Sequence, residues 1–260
     1  MKKLLALVLA LVMVAACFVG CEKKFDGKDI EYIQKRGKII VGITDYAPMD
    51  FKDDNGEWTG FDAELARMVA EELGVECEFY VLADWGKKFM ELDSKNIDCV
   101  WNGMTITEEA KSNASVSDPY VLNAQVIVMK ADKVAQYTNA DSIKDLSVAV
   151  EDGSAGQDAA EAAGVKNIVK KQDQAGALME VAAGTADACV IDITMANAMT
   201  GEGTDYADLA KGISLSEEEY GIAFRKGSDL ADKVNELLAK YKEDGTLQKL
   251  AEKYELTLAE

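Results

Sequence analysis

Two stretches of this chain lie on one another without a gap. "FMELDSKNIDCVWNG" (89–103) aligns with "LMEVAAGTADACVID" (178–192), so that Met90 falls on Met179, Glu91 on Glu180 and Asp98 on Asp187. Each stretch is a helix running into a strand, and each sits inside the same larger order. In the first half, "KIIVGIT" (38–44) is an apolar strand. "FDAELARMVAEELG" (61–74) places Leu65, Met68, Val69 and Leu73 on one helical face, with Asp62 positioned to cap its start and Gly74 to end it. "VECEFYVL" (75–82) alternates as a strand, "WGKKFMELDS" (85–94) reads as a helix and "IDCVWN" (97–102) as a strand. The second half repeats this with "SVAVEDGS" (147–154), "AGQDAAEAAG" (155–164), "VKNIVKK" (165–171), "QAGALMEVAAG" (174–184) and "ADACVID" (186–192). A β-α-β-α-β order calls for a parallel, doubly wound sheet. The chain therefore reads as α/β, with two lobes built on one plan.

Two further strands, "AQVIVMK" (124–130) and "YGIAFRKGS" (220–228), fit neither repeat and are expected to cross between the lobes. The helices "DLADKVNELLAKYKEDG" (229–245) and "TLQKLAEKYE" (246–255) then return to the first lobe, with Asp244-Gly245 ending one and Thr246 capping the other. This assigns residues 25–123 and 220–260 to lobe 1 and 124–219 to lobe 2. Two lobes joined by two strands enclose a cleft, and in open α/β sheets ligands sit outside the carboxyl ends of the strands. The loops there are "TDYAP" (44–48), "LADW" (82–85), "WNGMTIT" (101–107), "EDGSAG" (151–156) and "IDITMAN" (191–197).

Composition narrows the chemistry. There is no histidine, which removes imidazole-based catalysis and imidazole zinc sites. Arg36, Arg67 and Arg225 are the only arginines, and the formal net charge is −19. That charge repels phosphate backbones, so nucleic acid is not an expected partner. Cys77, Cys99 and Cys189 lie in apolar strand-like runs with no metal spacing and are expected as free thiols. No metal and no cofactor is expected. In "DFKDDNGEWTGFD" (50–62) a calcium loop built around Gly56 would have Phe51 at its first position instead of an acid, and "GEGTD" (201–205) reads as a surface turn. Met1 to Lys3 followed by the apolar run Leu4–Ala16 is a targeting segment, and 1–21 is read as signal peptide and anchor. "VAAC" (14–17) resembles the lipobox of bacterial lipoproteins, which makes Cys17 the expected lipidation site with Cys21 as the alternative. Taken on to Val19, the run is also about long enough to span a membrane; the small residues before each cysteine favour cleavage.

The cleft loops carry the candidate contacts. Tyr46 and Trp85 follow the first two strands and offer aromatic walls, or core packing. Asn102 and Thr105 flank Gly103, where backbone amides can approach a ligand, or where a turn satisfies itself. Gly153, Ser154 and Ala155 place N–H groups at a helix start, a ready anion site, and Ser154 also reads as a plain N-cap. Asp192 ends a strand facing the gap, where it can take a ligand ammonium.

Taken in order, "VGITDYAP", "NGEWTGFDAELA", "DWGKKFMEL", "TITEEA", "SDPY", "VAVEDGS", "ADACVID", "GIAFRKGSDL" and "DGTLQKLAEKY" resemble the family-3 solute-binding proteins, the amino-acid receptors of ABC importers. The resemblance covers nearly the whole chain after residue 21. It implies the two-lobed periplasmic-binding-protein fold, a monomer that closes like a hinged trap on an amino acid or amine-like solute, and docking on an ABC permease from a lipid anchor in the cell membrane. It implies that Tyr46 and Trp85 wall the ligand, that Asn102, Gly103 and Thr105 touch it from lobe 1, that Asp192 takes the α-ammonium and that the loop at 153–156 closes from lobe 2. One position departs from the pattern. The family usually has an arginine three residues after its second Thr, and that arginine clamps the α-carboxylate; here the position is Ala110. Ala155 likewise stands where a Thr or Ser hydroxyl is common, and Met49 where Phe is usual. The ligand is then an amine without that carboxylate, or its carboxylate is held by backbone amides with Thr105 and Asn102, or by Lys111, or import has been lost. Two other functions stay open: an enzyme on the same fold, like the cyclohexadienyl dehydratases, and a ligand-sensing module for a membrane partner.

Overall fold

The structure, a computed structural model, describes residues 27–260; Cys17, Cys21 and the targeting segment lie outside the described residues. It opens with α1 (Asp29–Arg36), a helix that the sequence reading did not include. β1 (Lys38–Ile43) follows and lies at the centre of the first half. A small hairpin, β2 (Phe51–Lys52) and β3 (Trp58–Thr59), leads into α2 (Phe61–Glu72). β1 pairs in parallel with β4 (Glu76–Val81) on one side and with β5 (Cys99–Thr105) on the other. Parallel neighbours need a crossover, and α2 supplies the first. The second is a 3-10 turn (Trp85–Lys87) continued by α3 (Lys88–Asp93).

After β5 come α4 (Glu108–Asn113), β6 (Ala114–Val116) and β7 (Val121–Lys130). The second half is β8 (Ser147–Glu151), α5 (Ala155–Ala162), β9 (Asn167–Lys171), α6 (Gln174–Ala183) and β10 (Ala188–Asp192), with β8 parallel to both β9 and β10. α7 (Ile193–Met199) and β11 (Leu209–Arg225) follow, then α8 (Leu230–Glu243) and α9 (Thr246–Lys253).

The two halves share one hydrogen-bonded sheet in the order β4-β1-β5-β11-β7-β10-β8-β9, with β6 on β11. β11 makes the join. Its first part, Leu209 to Tyr220, runs antiparallel to β7, and its last part, Tyr220 to Phe224, antiparallel to β5. The sequence reading placed a strand only over 220–228, because 209–219 is rich in charge and carries Gly212. Pairing with the almost fully buried β7 overrides that local preference. The C-terminal helices pack on the first half, where Lys240 meets Glu72 at 2.5 Å, Lys253 meets Glu64 at 2.7 Å and the Tyr241 hydroxyl donates to the Met68 carbonyl at 3.3 Å.

Three local expectations change. Asp62 does not cap α2: the N-cap is Gly60, with φ 118°, where a β-carbon would stand 2.2 Å from the Met49 carbonyl oxygen. Thr246 does not cap α9; Gly245 does, in the left-handed conformation. The stretches after β5 and β10, read as loops, become the helices α4 and α7, and Thr107 caps α4 by accepting the Ala110 N–H at 3.0 Å. Cys77, Cys99 and Cys189 are free thiols, and burial pushes the Cys77 thiol up to about 12.

Candidate ligand-binding site

The carboxyl ends of β1, β5, β8 and β10 converge on the gap between the halves. Trp85, Asn102, Gly103, Thr105, Gly153, Ser154, Ala155 and Asp192 all line one cavity there, of about 40 Å³. The halves press together at its edge: a β-carbon on Gly153 would lie 2.7 Å from the Gly86 Cα. Tyr46 stands apart from this lining. It is 2% exposed behind Gly103, and its hydroxyl bonds Thr194 Oγ1 at 2.5 Å and the Tyr220 hydroxyl. Those bonds hold it under the site instead of on its wall.

Much of the first half's polar equipment is already engaged. The Asn102 carboxamide clasps Thr44, accepting its N–H and donating to its Oγ1, each at 2.8 Å. The Gly103 N–H donates to Asp62 Oδ2 at 2.7 Å, and Asp62 also accepts the Tyr120 hydroxyl at 2.8 Å. Burial pushes the Asp62 carboxyl up to about 7 against these bonds. Asn102 and Gly103 thus shape the cavity while their donors serve the scaffold. Gly103 has φ +55°, and a β-carbon would meet Tyr46 Cε1 at 2.6 Å and the Tyr220 ring at 3.1 Å. Gly103→Ala is therefore expected to cost about 1–3 kcal/mol from backbone strain and overpacking, read as a lower urea midpoint.

Ala110 is 1% exposed and belongs to the apolar cluster that contains Trp85, Leu92 and Met104. Lys111, next to it, pairs with Glu108 at 3.0 Å, is 54% exposed and does not line the cavity, so the structure does not offer it to a ligand there. Met49 is fully buried in the core.

From the second half, Ser154 caps α5 by accepting the Gln157 N–H at 3.2 Å, while its own hydroxyl donates to the Glu151 carbonyl at 2.8 Å. The Gly153 N–H donates to Gln157 Oε1 at 3.0 Å and that of Ser154 to the Glu151 carbonyl at 3.3 Å. The first-turn N–H groups left over are those of Ala155 and Gly156. The anion site expected from Gly153, Ser154 and Ala155 shrinks accordingly.

Asp192 is 3% exposed and tightly dressed. Oδ1 accepts from Asn123 and, at 2.6 Å, from Gln125; Oδ2 accepts from Gln174, whose Oε1 in turn takes the Asp192 N–H at 2.9 Å. Its donors are neutral amides, which orient a carboxylate without neutralising it. The same Asn123 and Gln125 side chains also donate to Glu218 Oε1, at 2.5 and 2.7 Å, as does Thr105 Oγ1 at 2.8 Å. Two carboxylates therefore share donors on the crossing strands. Burial, then the charge of Asp192, pushes Glu218 up to about 7, and burial raises Asp192 despite its amide bonds. A third acid, Glu151, ends β8 and lines the cavity; its Oε1 is buried and has no hydrogen-bond partner among the described residues. Burial, with Asp192 and Asp173 nearby, drives its carboxyl well up. One base faces these acids, Lys88.

The sequence reading missed Glu151, Gln174, Lys88 and the hinge pair Asn123 and Gln125. Glu151 carried a usable signal, an acid closing an apolar strand in the same loop as Ser154.

The profile of bacterial extracellular solute-binding proteins, family 3, matches residues 39–257. The chain belongs to that family. It is 31% identical over 249 residues to the L-cystine-binding protein TcyJ of Escherichia coli strain K12, covering 94% of this chain and 92% of that one. It is 30% identical over 256 residues to the arginine-binding extracellular protein ArtP of Bacillus subtilis strain 168, covering 94% and 96%. Among solved structures it resembles the ancestral amino acid-binding protein AncCDT-1, a precursor of cyclohexadienyl dehydratase, with TM-score 0.80 and 36% identity over 87% of this chain and 99% of that one. The family places this solute-binding protein outside the cytoplasm, and no helix among the described residues is long and apolar enough to cross a membrane.

Proposed function

We propose that this solute-binding protein receives an amino acid or amine-like solute between its halves and delivers it to an ABC importer. In this reading it is a binding protein, not an enzyme, works as a monomer and is tethered by lipid at Cys17 or Cys21. One observation carries the ligand class: a buried carboxylate, Asp192, held by three neutral amides at the cavity and met by no cation among the described residues. Such a group is built to receive an ammonium. Glu151 adds to the negative field, and the names of TcyJ and ArtP agree in class. Trp85 and residues 102–105 and 153–156 would frame the ligand, with Trp85 as the aromatic face and Tyr46 supporting Gly103 from beneath.

The test is a thermal-shift panel of L-amino acids, simple amines, and neutral and anionic compounds that carry no amine. A binder at 100 times its Kd is expected to add about 2.7 kcal/mol of stability. A panel in which neutral or anionic compounds shift melting and every ammonium compound fails would refute the reading. Turnover of prephenate or arogenate would favour the enzyme instead, and none is expected.

A further inference from the structure

Lys88 is the only buried lysine among the described residues, at 7% exposed. It lines the same cavity as Asp192 and Ala110. Its Nζ sits 4.8 Å from the Trp85 ring centre and 5.0 Å from that of Phe89. It has no carboxylate within ion-pair distance among the described residues. Its hydrogen bonds are two carbonyl contacts at 3.4 Å, to Trp85 in its own half and to Gly153 in the other. Both are at the long limit for such bonds. A buried ammonium so weakly satisfied is costly unless something else completes it.

We propose that Lys88 takes the ligand's carboxylate, filling from α3 the role left open by Ala110. The proposal rests on the reading that Asp192 takes an ammonium. The small Ala110 methyl and the Trp85 ring share one apolar cluster, and the Lys88 ammonium lies over that ring while the residue lines the cavity. A carboxylate on Nζ replaces two long carbonyl contacts with a charge-assisted bond. An α-amino acid then bridges Lys88 of the first half and Asp192 of the second, so its own charges hold the halves together. The ligand class narrows from amino acids and amines to amino acids.

Titration calorimetry with matched probes tests this: L-arginine against agmatine, L-cystine against cystamine, and L-glutamine against 4-aminobutanamide. Each pair differs only in α-carboxylate groups, one for arginine and glutamine and two for cystine. The wild-type protein is expected to prefer the amino acid of the pair it binds by roughly a hundredfold. Lys88→Met keeps an unbranched apolar stem and is expected to collapse that preference, Lys88→Arg to retain most of it, and Lys88→Met with Ala110→Arg to restore it. A lysine present only to offset Glu151 would lower melting in Lys88→Met and leave the preference intact, which overturns the proposal. Wild-type protein that binds an amine as tightly as its amino acid also overturns it, while sparing the ammonium reading. Failure of every probe to bind overturns both.

Discussion

Replacing Arg225 by methionine is expected to cost about 3–5 kcal/mol, lowering the melting temperature by roughly 10 °C. The guanidinium is 3% exposed and uses all its nitrogens. Nε and Nη2 both bond Asp29, at 2.8 to 3.1 Å, Nη2 bonds Asp98 at 2.9 Å, and Nη1 reaches the Leu92 and Ile97 carbonyls at 3.2 and 2.6 Å. Asp98 also accepts the Ile40 N–H at 2.7 Å and pairs with Arg36. One side chain thus ties α1, β1, the α3–β5 turn and β11. Without it, Asp29 loses its cation and Asp98 keeps Arg36 as its one cation, while the Leu92 and Ile97 carbonyls each lose a donor. Arg225→Lys is expected to recover only part of the loss, since a point charge cannot make the forked contacts. A loss under about 1 kcal/mol in urea denaturation would show that the arginine does not hold this junction.

How much of this could be read beforehand depends on range. The strands β1, β5, β8 and β10 announce themselves as apolar runs, since burial on both faces needs no partner information to be legible, and β4 announces itself by alternation. The internal repeat then implies the two halves. β11 over 209–219 was not legible, because a charged segment becomes a strand only by pairing with β7. Asp62 shows the same limit. Its place at a helix start suggests a cap, and only the tertiary fold brings Gly103 and Tyr120 to it from 41 and 58 residues away. In the site, loop positions were legible from strand ends, whereas donor commitments were not. Asn102 and Gly103 look available in sequence because their acceptors, Thr44 and Asp62, are distant along the chain. Lys88 looked like an ordinary helix lysine beside Lys87, yet Lys87 is 60% exposed and paired with Asp84 while Lys88 is buried.

Asp192→Asn is expected to weaken binding of the best ammonium ligand by at least about a hundredfold, the scale for truncating one side of a buried charge pair. The carboxamide keeps the shape but not the charge, and its NH2 would oppose the Gln174 amide that now donates to Oδ2. Binding by the wild-type protein should also weaken as pH falls, because burial raises the Asp192 carboxyl and the Glu218 charge beside it is lost below about 7. Asp192 and Glu218 share the Asn123 and Gln125 donors, and Glu218 is pushed up to about 7 by burial and by Asp192. An ammonium on Asp192 needs the charged form, so protons compete with ligand, by up to about tenfold per pH unit. The ligand-free protein responds with the opposite sign. Glu218 titrates near 4.3 when unfolded, so between there and about 7 the folded state binds more protons than the unfolded state. Its stability therefore falls as pH rises through that window, and Asp62, also pushed to about 7, adds to the effect. The free protein should melt higher at pH 5 than at pH 7.5, while the ligand-induced shift in melting should be larger at pH 7.5. Glu218→Gln removes one charge of the pair and is expected to move the midpoint of the affinity profile to lower pH. Affinity that stays flat from pH 5.5 to 7.5 in the wild-type protein would mean that the shared donors do not couple the two acids to the ligand.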